Sequence, residues 1–119
     1  MKPEVDFQDG PPPTTLVIED LIAGSGEAAS DDSEVLVHYV GVDFESGEEF
    51  DSSWNRNEPI AFPLKGLIKG WQEGIPGMKV GGRRKLICPP EYAYGRQGHR
   101  LAGRTLIFVI DLLEVIHER

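Results

Sequence analysis

The chain has 119 residues, with 12 basic against 20 acidic side chains and a formal net charge of −8. Such a length makes one domain able to bury a core without disulfide or metal staples, and such a charge argues against a general basic surface for nucleic acid or anionic membrane. No run approaches the roughly eighteen apolar residues of a membrane span. The first thirty residues carry acids and prolines where a secretory leader has a basic region and an apolar core, so a reducing cytoplasm is expected; the chain is separately expected to be a monomer.

In chain order, residues 1–13 hold Pro3, Asp6, Asp9, Gly10 and three consecutive prolines, the composition of a flexible extended tail. No stable structure is expected before Thr14, and residues 14–119 form the domain. Thr15 to Asp20 reads as a first strand. The loop from Ala23 to Ser33 contains Gly24-Ser25-Gly26-Glu27-Ala28-Ala29, a superficial match to a dinucleotide fingerprint. The match fails on context, because Ser30-Asp31-Asp32-Ser33 is too acidic for a phosphate and too short for a crossover helix.

Glu34 to Phe44 is the longest strand of the first half, with Val35, Val37 and Tyr39 on one face and His38 on the other beside Leu36 and Val40. Glu45-Ser46-Gly47-Glu48 turns it back into Glu49 to Ser53. A polar loop from Trp54 to Pro59 leads to a short edge strand, Ile60 to Leu64. Then comes the one convincing helix, residues 66–75, in which Leu67, Trp71 and Ile75 recur at i, i+4 and i+8 with Ile68 beside them. Two turns cannot stand alone in water, particularly with Gly70 inside, which costs roughly 1 kcal/mol against alanine. A curved sheet must clasp this helix, with Trp71 in the concavity. Arg83 to Cys88 is a strand stopped by Pro89-Pro90, a loop runs from Tyr92 to Arg104, and Thr105 to Ile116 is apolar on both faces, as a central strand is. The fold class is α+β, an antiparallel sheet with one helix.

The common catalytic signatures are absent: no H-E-x-x-H, paired C-x-x-C, G-x-S-x-G, Walker loop or Ca²⁺ loop occurs. His38, His99 and His117 read as structural or solvated, so neither a metal nor a cofactor is expected. Cys88, the single cysteine, lies in the apolar run Leu86-Ile87-Cys88 and reads as a buried, inert thiol. Arg96, Arg100 and Arg104 are spaced like a helical basic face, but Gly95, Gly98 and Gly103 point to a solvated loop. What remains is a surplus of aromatics near turns and strand ends, with Asp51 directly after Phe50. An ionised acid in a dry pocket costs several kcal/mol unless paired, which nominates Arg56 and the Tyr39 hydroxyl as its partners. From the residues alone, Asp51 as a simple turn cap remains open.

Seven collinear segments resemble the single-domain FKBP family, the tacrolimus-binding peptidyl-prolyl isomerases. They are Val37-His38-Tyr39 with Gly41, Gly47 to Ser53, Arg56-Asn57-x-Pro59, Ile68 to Gly74, Met78 to Gly81 with Arg84, Tyr92-Ala93-Tyr94-Gly95, and Thr105 to Phe108. The resemblance covers roughly Leu16 to Ile116 and implies a curved five- to six-stranded antiparallel sheet wrapped around one short helix. It makes Trp71 the floor of a pocket and Tyr39, Phe50, Phe62, Leu67, Ile68 and Phe108 its walls, with the Ile68 backbone N–H offered to a ligand carbonyl. Asp51 would be the buried polar group oriented by Tyr39 and Arg56, and Tyr94 would donate its hydroxyl to the carbonyl of a prolyl imide. His99, Leu101 and Ile60 complete the implied contact set. Two departures stand out: Ile60 replaces an aromatic usual in the family, and the 96–104 loop is shorter than usual and lacks a Pro- and Ile-rich tip. The implied partners are proline-containing polypeptides, with tacrolimus or rapamycin as inhibitors. The competing reading is a non-catalytic module that binds proline-bearing chains or acts as a chaperone through the same pocket.

Overall fold

The computed structural model describes residues 1–6 and 10–117. Six strands form an antiparallel sheet in the order β1-β5-β6-β2-β3, with β4 paired to the other end of β2. In sequence they are β1 (Val17–Ile22), β2 (Glu34–Asp43), β3 (Glu49–Ser52), β4 (Ile60–Pro63), β5 (Arg83–Cys88) and β6 (Leu106–Ile116), with the helix α1 (Lys69–Gly74) between β4 and β5. This is the order expected from the hydrophobic runs. The axis of the sheet is the β2–β6 pair, in register from Glu34↔Ile116 to Asp43↔Leu106 with one irregularity between Leu36 and Val37.

Alternation along the strands divides the side chains between two faces. Val37, Tyr39, Phe108, Ile110 and Leu112 point inward and join Trp71, Ile75 and Leu86 in the main core. His38, Val40, Val42, Ile107 and Val109 take the opposite face. Both faces of β6 are covered over most of the strand, as its apolar sequence requires, and Leu106 to Ile110 are all buried.

The helix is shorter than its apolar spacing suggests. Leu64–Gly66 forms a 3-10 turn, and Leu67 and Ile68 are extended, with ψ of 174° and 154°, before α1 begins at Lys69. Leu67 is therefore no part of a helical face. A six-residue helix gains little from its own hydrogen bonds, so its position is set by burial of Trp71 and Ile75, 4% and 0% exposed.

Gly70 is required at this contact: a β-carbon there would run into Cys88 Sγ and lie 3.0 Å from the Tyr92 carbonyl oxygen. Cys88 is fully buried, and burial pushes its thiol up to about 12. The glycines of the false dinucleotide match serve close packing too, since a β-carbon on Gly24 would sit 2.6 Å from the Gly82 nitrogen.

The amino-terminal segment departs from the expectation of no structure before Thr14. Residues 1–6 have no helix or strand, yet Val5 packs against Phe44, Ile87 and Ile107, and Lys2 Nζ lies 2.8 Å from Glu49 Oε1 and donates to Asn55 Oδ1 at 2.9 Å. The reason is the outer face of the sheet, where Val40, Val42 and Ile107 form an apolar surface that this segment helps to cover. Tail residues 7–9, and 118–119 at the end of the expected domain, lie outside the described residues.

Asp43, at the end of β2, is a buried carboxylate with a charged partner. Its carboxylate accepts from Arg104 Nε at 2.8 Å and Arg104 Nη2, and from the Ser46 N–H at 2.8 Å, so it caps the β2–β3 turn as well. The Arg104 hydrogen bonds outweigh burial and hold the acid down at about 2. The loop arginines are exposed to solvent as expected for Arg96 and Arg100, but two have ion-pair partners: Arg104 pairs with the buried Asp43, and Arg96 with Glu91 at 3.0 Å.

Two predictions concern stability. Gly70→Ala, which would add about 1 kcal/mol to an isolated helix, is expected to destabilise this protein by about 1–3 kcal/mol, read as a lower urea midpoint. Asp43 has a native pKa below its unfolded value, so its stabilisation is complete above about pH 4 and is lost as pH falls towards 2. That loss is expected to be about 1–2 kcal/mol in acid unfolding, and Asp43→Asn should flatten this limb of the curve.

Candidate active site

The concave side of the sheet leaves a cavity of about 180 Å³ beside α1, lined by Tyr39, Phe50, Asp51, Phe62, Leu67, Ile68, Trp71, Tyr94 and Phe108. The lining converges from six parts of the chain. Tyr39 comes from β2, Phe50 and Asp51 from β3, Phe62 from β4, Leu67, Ile68 and Trp71 from the helix and its approach, and Phe108 from β6. Tyr94 stands just past the 3-10 turn Pro90–Tyr92.

The floor is Trp71. Tyr39, Phe62 and Phe108 meet its indole edge-on, with centroids 5.4, 5.6 and 5.4 Å away and interplanar angles of 80–86°. Edge-to-face contacts of this kind are each worth about 0.5–1.5 kcal/mol beyond burial and fix ring orientation. Phe50 stands edge-on to Phe108 at 5.7 Å. It reaches the wall because Gly41 on the neighbouring strand has no side chain: a β-carbon there would lie 2.5 Å from Phe50 Cζ. The result is a rigid aromatic cup.

One charge stands at the edge of the cup, and it is fully engaged. Asp51 Oδ2 accepts from the Tyr39 hydroxyl at 2.6 Å, and Oδ1 accepts from Arg56 Nη1 at 3.0 Å and the Ser52 N–H at 2.8 Å. Arg56 Nη2 also donates to Tyr39 Oη at 3.1 Å, closing a three-residue ring. Burial pushes the Asp51 carboxyl up, but the Tyr39 and Arg56 hydrogen bonds outweigh it and hold the acid below its usual range. Burial and the bond to Asp51 push the Tyr39 hydroxyl up to about 12. Asp51 is thus an anion held by donors and Tyr39 a neutral donor, a poor arrangement for moving protons but a good one for holding shape and field. The turn-cap alternative for Asp51 is only partly right, since its bond to the Ser52 N–H is local while its main partners come from elsewhere.

Three donors at the cavity are uncommitted among the described residues, one of them the buried Trp71 Nε1 on its floor. Among the described residues Tyr94 Oη makes no hydrogen bond, and burial, followed by the Asp51 charge, raises its pKa. The Ile68 N–H, at the mouth of α1, likewise has no acceptor there. Tyr94 itself is held by His99, stacked on its ring at 4.0 Å and 9°, while His99 Nδ1 accepts from the Leu101 N–H at 3.0 Å.

Of the residues singled out from the sequence, nine line the cavity. Arg56 stands behind Asp51, Ile60 packs against the core from β4, and His99 supports Tyr94 from the side. Leu101 lines a neighbouring groove that shares Phe50 with the cavity. Sequence reading missed the Asp43–Arg104 pair and the stacking of His38 on Trp54 at 4.0 Å, because both join residues distant in the chain. No cluster of three or more metal-binding side chains occurs among the described residues.

Comparison with known proteins agrees with this geometry. The model of the FKBP-type peptidyl-prolyl cis-trans isomerase family matches residues 25–113. A probable FK506-binding protein of Corynebacterium glutamicum is 63% identical over 114 residues, spanning 94% of this chain and 97% of that protein. An FK506-binding protein of Streptomyces anulatus is 53% identical over 120 residues, spanning 96% and 97%. Among solved structures, Escherichia coli FkpA superposes with a TM-score of 0.78 at 45% identity over 84% of this chain and 47% of that one. AtFKBP13 gives a TM-score of 0.77 at 35% identity over 88% and 96%. With the aromatic cup, the clasped helix and the matched sequence all in agreement, the chain belongs to the FKBP-type peptidyl-prolyl cis-trans isomerases.

Proposed function

We propose that the aromatic cavity binds the proline ring of an Xaa-Pro segment in a polypeptide and speeds rotation about the imide bond without covalent chemistry. The observation that carries this reading is the union, in about 180 Å³, of an apolar cup with one fully bonded carboxylate and uncommitted donors on Tyr94 and Ile68.

The barrier to imide rotation is about 18–20 kcal/mol, and the bond turns over in tens to hundreds of seconds. Raising a rate of about 10⁻² s⁻¹ to about 10 s⁻¹ requires roughly 4 kcal/mol. At the twisted transition state the amide loses resonance, its nitrogen becomes pyramidal and its carbonyl becomes less polar. A dry cup of Trp71, Tyr39, Phe50, Phe62 and Phe108 favours that less polar state over either planar form. Tyr94 donates to the carbonyl of the imide and the Ile68 N–H to a neighbouring carbonyl, holding one side of the bond while the other turns. Asp51, kept anionic by Tyr39 and Arg56, acts through its field and as a geometric anchor.

We further propose that tacrolimus and rapamycin compete for this cup. Support comes from the FK506-binding names of the relatives from C. glutamicum and S. anulatus. Ile60 in place of an aromatic, and the short 96–104 loop, offer such a drug less wall. The same reading places a monomer in the cytoplasm, supported by a single, buried thiol with no need of an oxidising compartment.

A protease-coupled assay on an Xaa-Pro peptide tests the activity; retained peptide binding without acceleration would leave only a binding module. Trp71→Ala is expected to cost about 3–5 kcal/mol of stability and to abolish measurable turnover, whereas Tyr94→Phe should lower kcat/KM roughly 3- to 30-fold with the fold intact. Since the native pKa of Asp51 is depressed, activity that depends on its charge persists above the ordinary carboxylate range and falls only as pH drops through the native value. Arg56→Gln removes a cation that holds this value down, so the acid limb of the rate profile should move to higher pH.

A further inference from the structure

We infer that Asp43 and Arg104 are positioning residues for the isomerase site, joined so as to set the separation between two of its walls. The inference rests on the isomerase reading above and extends it to residues that do not line the proline cavity.

One wall is the β2–β3 hairpin, which carries Phe50 and Asp51. The other is the segment from Tyr94 to Arg104, which carries the Tyr94–His99 stack and Leu101. That segment has no helix or strand; it is folded by turns in which Gly95, Gly98 and Gly103 have positive φ and the Ala102 N–H donates to the His99 carbonyl at 2.9 Å. Its neck is closed by the Gly103 N–H donating to the Gly95 carbonyl at 2.6 Å. Immediately beyond, Arg104 reaches across to Asp43 with two donors of its planar fork.

Asp43 is committed to both walls at once. Its side chain is 8% exposed, its Oδ2 caps the hairpin through the Ser46 N–H, and both oxygens take the Arg104 guanidinium. Just past the last β2–β6 pair, the Phe44 N–H donates to the Thr105 carbonyl at 2.9 Å, so the two walls meet on a rigid base. Between them lies a groove of about 560 Å³ that includes Asp43, Arg104, Phe50 and Leu101 and shares Phe50 with the proline cavity. A polypeptide whose proline occupies the cup has this groove beside it to receive flanking residues. A bidentate arginine–carboxylate pair fixes direction as well as distance, which a single charge contact does not.

Arg104→Gln, Arg104→Lys, Asp43→Asn and the double variant Asp43→Asn/Arg104→Gln test the inference, assayed in the cold with wild type alongside. The double variant leaves no buried orphan charge and keeps the test valid should a single substitution unfold. With a peptide extending several residues on both sides of proline, loss of the tie is expected to raise KM about 5- to 10-fold with kcat within about twofold, the pattern of lost uniform binding. With a minimal Xaa-Pro peptide, which does not enter the groove, the change should stay under about twofold. Arg104→Lys, which keeps the charge and loses the fork, should restore KM only in part. KM within about twofold of wild type in every folded variant, whatever happens to the melting temperature, would overturn the inference and leave the pair a stabilising contact alone. An inactive wild type would instead overturn the isomerase reading. In that case the tie is read from binding of the same two peptides, and equal affinity in all variants counts against it.

Discussion

The structure depends on the burial of one indole. A six-residue helix has too few internal hydrogen bonds to persist, and the concave side of a curved sheet has an apolar surface that must be covered. Trp71 meets both needs, its ring held by the edges of Tyr39, Phe62 and Phe108. Because those rings come from β2, β4 and β6, locking the helix also fixes the strands relative to one another. The cavity is what remains open above the indole once these contacts are made.

The charged groups around this apolar centre are matched, while the Tyr94 hydroxyl, the Ile68 N–H and the Trp71 indole N–H at the cup are not. Asp51 is satisfied by three donors, and the outcome is a neutral Tyr39 beside a persistent carboxylate. A site meant for acid–base chemistry would bring its groups towards neutral pKa values, and these move away from it. Their arrangement suits a reaction in which polarity falls and no proton is transferred. On the far side of Phe50, Asp43 and Arg104 satisfy each other in the same way and tie the loop to the β2–β3 hairpin.

Close approach of backbone to side chain recurs at the places that shape the site. Gly41 makes room for Phe50, and Gly70 lets α1 settle on Cys88. Each is a position where a helix or strand propensity scale would favour another residue, and where packing outweighs propensity by more than the roughly 1 kcal/mol that the scale spans. The convex face shows a related effect, with residues 1–6 recruited as cover for apolar strand positions despite a composition typical of a solvated tail.

While the family resemblance implied the aromatic walls of the pocket, sequence by itself determined the succession of strands along the chain, the inward face of β2 and the existence of a clasped helix. These follow from periodicities of two and about 3.6 residues, from turn residues at fixed offsets, and from the rule that an acid among aromatics needs partners close by, which Arg56 supplies from five positions along the chain. Only the tertiary structure decided that the helix starts at Lys69, that Leu67 and Ile68 reach the cup from extended backbone, that His99 stacks on Tyr94 while Leu101 lines the groove beside the cup, and that Arg104 pairs with Asp43. Those outcomes depend on which distant segments the sheet brings within a few ångströms, and the separation along the chain between Asp43 and Arg104 carries no local pattern from which their contact could be read.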